Sequence, residues 1–328
     1  MISQTLCERV AGLRKYGLLL NGIYRELPSR KSVFSEELPV VNLWRSHGIC
    51  NTVFPAGLQG LQGSARAGFG PSFSVSFQTV HIMRLIFLGT GGYHPNERRH
   101  TASILLPELG IALDAGTGFF RLPARLKTSN LDVYLTHAHL DHVCGLTFIL
   151  VPMLRGEISQ VRVFGLRTTL EAVKTHLLAN EMFPVLPDFE WVELDTVLEI
   201  PVPEGGHLLW TPLTHPGGSV GFRIDWHDRS LAYITDTTAP GDYCEFITGV
   251  DLLIHECYFP DELHDWAQKT GHSCATPVAL LAKQANVREL FLIHVDPQRP
   301  DDDPVGLSAI REIFPNTHLA EDLLEIEF

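Results

Sequence analysis

The segment Thr136-His137-Ala138-His139-Leu140-Asp141-His142 gathers four side chains that can bind a metal through nitrogen or oxygen. A His-x-His pair on extended backbone sends both imidazoles to one side, because alternate residues share a face. The turn that follows brings Asp141 and His142 round to a second position. Zinc takes imidazole and carboxylate ligands at about 2.0–2.2 Å, and two metals about 3.5–4 Å apart can share one site. A lone His-x-His is common by chance, and a polar surface loop would account for it. The longer His-x-His-x-Asp-His pattern directly behind an apolar run is the stronger signal.

These ligands need elements that point them. Residues 131–135 read as a strand leading into the turn, and residues 143–150 read as the start of a buried helix. The arrangement recurs along the chain. A strand over 208–213 ends at His215, a hairpin of 220–225 with 230–234 delivers Asp236, 252–254 delivers His255 and Glu256, and 290–293 delivers His294. Strand ends at one rim of a sheet sandwich converge, so this repetition predicts one shared site. The remaining strands are 83–88, followed by Gly89-Thr90-Gly91-Gly92, a hairpin of 101–106 with 111–113, then 160–165, 189–194, 197–200 and a closing edge strand over 323–328. Helices are expected over 166–180 and 276–285, the second capped by Ser273. Asp114 closes a strand and reads either as an Asx-turn residue or as a carboxylate that orients a ligand histidine. His94 and His100 read as loop residues, and His176, His207, His227, His264 and His318 as solvated. No internal repeat is visible in the sequence.

The chain has 328 residues and is 45% hydrophobic, enough for a sizeable core in one large domain or two. No apolar run reaches the roughly 18 residues a membrane span needs. Six scattered cysteines without a Cys-x-x-Cys pair argue against a disulfide framework and a zinc ribbon. They point to a reducing compartment, the cytoplasm. Residues 1–82 carry 8 Lys and Arg against 4 Asp and Glu, whereas the chain as a whole has a net charge of −13, leaving −17 for the rest. An acidic body does not attract nucleic acid non-specifically, because phosphate affinity comes mainly from Lys and Arg. Residues 1–82 read as a weakly structured N-terminal extension, disordered or translated from a misassigned start, with a Gly- and Ser-rich linker over 57–76. The working domain is expected over 83–328.

His137-x-His139-x-Asp141-His142, followed by His215, Asp236 and His294, resembles the metallo-β-lactamase superfamily. The resemblance implies an α+β fold, a four-layer αββα sandwich with a dinuclear metal site at one edge. Carried over residue by residue, His137, His139 and His215 would bind one metal, and Asp141, His142 and His294 the second, with Asp236 bridging both. Phe87-Leu88-Gly89-Thr90-Gly91-Gly92, Leu253-Ile254-His255-Glu256, Gly271-His272-Ser273 and Leu292-Ile293-His294 are similar to the ribonuclease Z-like phosphodiesterase branch. That likeness makes His272 a catalytic proton donor supported by Glu256. Taken alone, His272 would read as a neighbour of a helix cap and Glu256 as a surface acid.

The implied activity is hydrolysis by a metal-bridging hydroxide, with Asp141 accepting its proton and His272 protonating the leaving oxygen. The implied cofactors are two Zn2+. An imidazole at His139 favours zinc over the di-iron relatives that place a carboxylate there, and Mn2+ or Fe also suits these donors. There is one departure. Enzymes of the branch that clamp transfer RNA carry a long arm between the positions of His215 and Asp236, and this chain has only the residues from Pro216 to Thr235 there. A small phosphodiester or other ester is therefore the expected partner, with RNA and tRNA 3′ cleavage disfavoured, no membrane, and a homodimer as one open assembly. The alternatives are a thioester, lactone or sulfate-ester hydrolase, or a non-catalytic binding protein on the same fold.

Overall fold

The computed structural model describes residues 83–299 and 301–328, together with three strands nearer the N-terminus. Those strands, β1 (Val40–Arg45), β2 (Gly48–Val53) and β3 (Val75–Gln78), pair antiparallel in the order β2-β1-β3 and belong to a unit separate from the rest. The rest of 1–82, including most of the expected linker, His47 and His81, lies outside the described residues.

The second unit, His81–Phe328, holds two seven-stranded sheets. The first contains β4 (Arg84–Gly89), β5 (Ser103–Leu106), β6 (Ile111–Leu113), β7 (Asn130–Tyr134), β8 (Gln160–Gly165) and β9 (Phe189–Glu193), with β17 (Glu325–Glu327) on the far side of β4. The second runs in chain order through β10 (Glu199–Val202), β11 (Gly206–Leu213), β12 (Ser219–Asp225), β13 (Ser230–Ile234), β14 (Leu252–Glu256), β15 (Glu289–Ile293) and β16 (Thr317–Leu319). From β17 to β9 the pairings are three antiparallel and then three parallel. From β10 to β16 the same succession holds. The two halves therefore repeat in topology although no repeat is visible in sequence.

Both faces of most strands are covered, which is why they read as continuous apolar runs rather than alternating ones. Leu85 and Phe87 of β4 face the space between the sheets with Tyr134, Phe222, Tyr233 and Phe291. Their neighbours Ile86 and Leu88 turn outward onto Phe119, Val143, Leu146 and Leu170. On the second sheet Ala232, Leu253, Leu290 and Leu292 turn outward onto Val278, Ala282 and Ile310 of two helices, Ala275–Gln284 and Leu307–Ile313. Helix, sheet, sheet and helix are thus stacked as the expected αββα sandwich. Phe87 stacks on Phe291 across the middle at 5.5 Å.

Three local expectations are corrected. The helix expected over 166–180 is an α-helix only for Arg167–Ala172 and then widens into a π turn, Val173–Leu177. The segment after the metal turn is broken into a short helix Leu140–Val143, a 3-10 stretch Cys144–Ile149 and a last helix Leu150–Leu154. Cys274, not Ser273, sits at the cap of the helix Ala275–Gln284. The Ser273 hydroxyl instead donates to the Thr237 carbonyl at 2.6 Å.

The sheets are tied together at the rim where the candidate ligands emerge. The Gly92 amide donates to the Val295 carbonyl at 3.0 Å and the Val295 amide to the Thr90 carbonyl at 3.2 Å. The Val220 amide donates to the Thr136 carbonyl at 3.1 Å, so the turn after β7 is pinned to the opposite sheet.

Candidate metal centre

Each candidate ligand leaves the end of a strand. The first sheet supplies His137, His139, Asp141 and His142 from the turn after β7. The second supplies His215 after β11, Asp236 after β13 and His294 after β15. Asp114, Asp236 and His294 adopt the left-handed conformation, with φ of 57°, 48° and 56°. Such a conformation costs a residue with a Cβ about 1–2 kcal/mol, and Asp and His tolerate it better than most. It bends the backbone sharply at the strand end. Sites that over-determine their geometry are where such strain is found.

The side chains form two groups around Asp236. One carboxylate oxygen, Oδ2, lies 3.5 Å from His137 Nε2 and 3.5 Å from His215 Nε2. The other, Oδ1, lies 3.2 Å from His142 Nε2 and 3.3 Å from His294 Nε2. Asp141 Oδ2 approaches the second group, at 3.4 Å from His142 Nε2 and 3.3 Å from His294 Nε2. His139, exposed at the rim, turns Nδ1 to within 3.3 Å of His215 Nε2. One donor atom each from His137, His139, His215 and Asp236 fits within a 4.8 Å span, and so does one each from Asp141, His142 and His294. All seven ligands expected from sequence are thus brought together.

The outer ring nitrogens explain why the inner ones point as they do. His142 Nδ1 lies 2.8 Å from Asp114 Oδ2, His215 Nδ1 2.9 Å from the Gly271 carbonyl, and His137 Nδ1 3.0 Å from the Thr136 hydroxyl. That hydroxyl donates its own proton to Asp114. Each outer nitrogen is therefore protonated, and His137 and His215 turn the lone pairs of Nε2 inward; at His142 burial disfavours a second proton but Asp236, Asp141 and Asp114 outweigh it, so a cation at its Nε2 would take that proton's place. Lone pair against lone pair is repulsive, and the buried His137 Nε2 has no hydrogen-bond partner. A cation resolves both problems. Burial disfavours the charged ring and lowers the pKa of His137, His139 and His215, which keeps them neutral as metal ligands must be. Imidazole with carboxylate suits zinc, iron or manganese.

Asp114 resolves in favour of the orienting carboxylate rather than the Asx turn, since the amides of Ala115, Gly116 and Thr117 all donate elsewhere. It is fully buried, accepting from the Thr136 amide at 2.8 Å, from Tyr233 Oη at 2.8 Å and from His142. Glu256 is fully buried rather than a surface acid. It accepts from the Thr237 amide at 2.6 Å and the Ser273 amide at 3.2 Å, and meets His272 Nδ1 at 3.2 Å. Burial opposes the charged form of His272, but Glu256 overrides it and raises the pKa to about 9.

His255 does not join the site. Next to Glu256 on the same strand, it faces the other way, with Tyr243 Oη 2.7 Å from its Nε2. The strand-end pattern over-reached there, because successive residues alternate faces. His318 is not simply solvated, since its ring stacks on Phe291 at 4.7 Å. The site opens into a cavity of about 430 Å3 lined by His139, Asp141, His215, Asp236 and His294 together with Tyr93, Leu140, Pro216, Tyr258, Thr270 and His272. Tyr93 and Tyr258 were not anticipated, because an aromatic residue in an apolar or glycine-rich stretch carries no signal of its own.

Residues 110–295 match the beta-lactamase superfamily domain. The chain belongs to that superfamily. Ribonuclease Z of Methanosarcina acetivorans is 26% identical over 299 aligned positions, which take in 75% of this chain and 98% of the relative. The metallo-β-lactamase fold protein YhfI of Bacillus subtilis superposes with a TM-score of 0.62 at 17% identity, over 75% of this chain and 99% of that one. A diphosphatase of the PhnP family superposes with a TM-score of 0.59 at 19% identity, over 76% and 98%. As a member of the superfamily, this chain is a metal-dependent hydrolase. Among the described residues no helix is long and apolar enough to cross a membrane.

Proposed function

We propose that this hydrolase is a two-metal phosphodiesterase acting on a small phosphodiester. The observation that carries the reading is the division of Asp236, one carboxylate oxygen toward His137 and His215 and the other toward His142 and His294. One group of His137, His139 and His215 and a second of Asp141, His142 and His294 would each hold a cation, with Asp236 shared, and zinc is the first choice. Bound there, the cations supply Lewis acidity, which lowers the pKa of water and offsets charge on phosphoryl oxygens. Asp141, held by the Tyr93 amide at 2.8 Å, takes the proton lost by the attacking water. His272 gives its proton to the leaving oxygen, and Glu256 fixes the ring and favours its charged form.

Two observations favour a small substrate over transfer RNA. No Lys or Arg among the described residues lines the cavity, so a polyanion would find no cation there beyond the metals and His272. The link between β11 and β12, from Leu213 to Ser219, is a tight turn. The Methanosarcina ribonuclease Z aligns over 299 positions against 75% of these 328 residues, so that relative carries residues with no counterpart here. The test is hydrolysis by the zinc-loaded full chain of bis(p-nitrophenyl) phosphate, a thioester, an aryl sulfate and a tRNA precursor. The phosphodiester is expected to turn over fastest. Preference for the thioester or the sulfate would overturn the reading, and efficient tRNA cleavage would overturn the substrate size.

A further inference from the structure

Tyr258 stands two residues beyond Glu256, is 8% exposed and lines the cavity. Its ring lies on the His272 imidazole, with centroids 4.6 Å apart and planes 24° from parallel. His272 in turn stacks on His294 at 5.4 Å and 27°. The backbone locks this pile. The Tyr258 and Phe259 amides both donate to the Ser273 carbonyl at 3.2 Å, which fixes Tyr258 beside the residue that follows His272. On the far side Gly92 leaves just enough room, since a Cβ there would stand 2.7 Å from the Tyr258 ring and 2.6 Å from that of His294. Among the described residues the Tyr258 hydroxyl makes no hydrogen bond, so packing alone sets the ring plane.

Glu256 holds one edge of His272 through Nδ1, but a single bond at 3.2 Å leaves the ring free to swing about it. We propose that Tyr258 is a positioning residue. Its ring removes that freedom and keeps the other nitrogen of His272 directed into the cavity. The inference rests on the proton-donor reading of His272 given above. It requires the flat face and not the hydroxyl.

A misplaced proton donor hurts most where the leaving group is poor, because a good leaving group departs without a proton. The test compares bis(p-nitrophenyl) phosphate with diphenyl phosphate on the zinc-loaded full chain. Tyr258→Met fills the space without a flat face. It is expected to lose about tenfold on diphenyl phosphate, the scale of an aromatic stacking contact, and little on the nitrophenyl ester at unchanged zinc content. Tyr258→Phe is expected to follow the parent on both substrates. Equal losses on the two esters for Tyr258→Met, or a Tyr258→Phe variant that loses diphenyl phosphate activity, would overturn the proposal. Should Tyr258→Met fail to fold, Tyr258→Leu makes the same comparison without a flat face, with the same losses expected and the same equal losses overturning the proposal. His272→Ala runs in parallel. If it shows no dependence on the leaving group, the proton-donor reading fails; if it does and Tyr258→Met does not, only the positioning role fails.

Discussion

Asp114 meets His142 Nδ1 at 2.8 Å with both side chains fully buried, although neither lies near the other in sequence. This bond sets the His142 tautomer and aims Nε2 at Asp236. Replacing Asp114 with Ala leaves His142, the Thr136 amide and Tyr233 without an acceptor. Zinc affinity is expected to fall about 10–100-fold, read by competition with a chromophoric chelator. An unchanged affinity would show that His142 needs no such partner.

His272 works as a donor only while protonated, so activity should fall as pH rises through its pKa. Glu256 raises that pKa, and burial lowers it. Glu256→Gln removes the largest raising influence, leaving the weaker ones of Asp236 and Asp141 against burial. The alkaline limb of the kcat–pH profile is therefore expected to move to lower pH, and a limb that stays in place would separate Glu256 from His272.

Gly116 touches no ligand side chain, yet a Cβ on it would run into the Asp141 carbonyl and the Ala102 carbonyl. Neither is the yielding tip of a side chain. Gly116→Ala is expected to displace the metal turn and lower zinc content and activity together. Normal zinc content in that variant would mean that the turn can shift without losing its geometry.

Stripping the metal leaves buried lone pairs and carboxylates facing one another. A ligand present at 100 times its Kd stabilises by about 2.7 kcal/mol. Chelation is accordingly expected to lower the Tm by several degrees, with zinc restoring it; a Tm indifferent to chelation would argue that the site is not metal-bound in the folded state.

The cluster of donor side chains was legible because such donors are rare behind apolar runs, and His137, His215, Asp236 and His294 each follow one. The layers were legible too, since β4, β13, β14 and β15 are apolar on both faces. What sequence could not show is direction. His255 and Glu256 adjoin in sequence and face opposite ways. The left-handed backbone at Asp236 and His294 leaves no mark in the sequence. The helix His264–Thr270 went unseen because it buries only Ala267, too little to impose a helical period. Pairings such as Gly92 with Val295 depend on the two sheets having already met.

The centre draws its donors from both halves of the sandwich, four from the turn after β7 and three from the opposite sheet. Metal held by these donors would rivet a seam. A protein stripped of it would keep its hydrophobic middle but loosen first along that one edge, so the mouth of the site is also where a protease or exchanging solvent would gain entry.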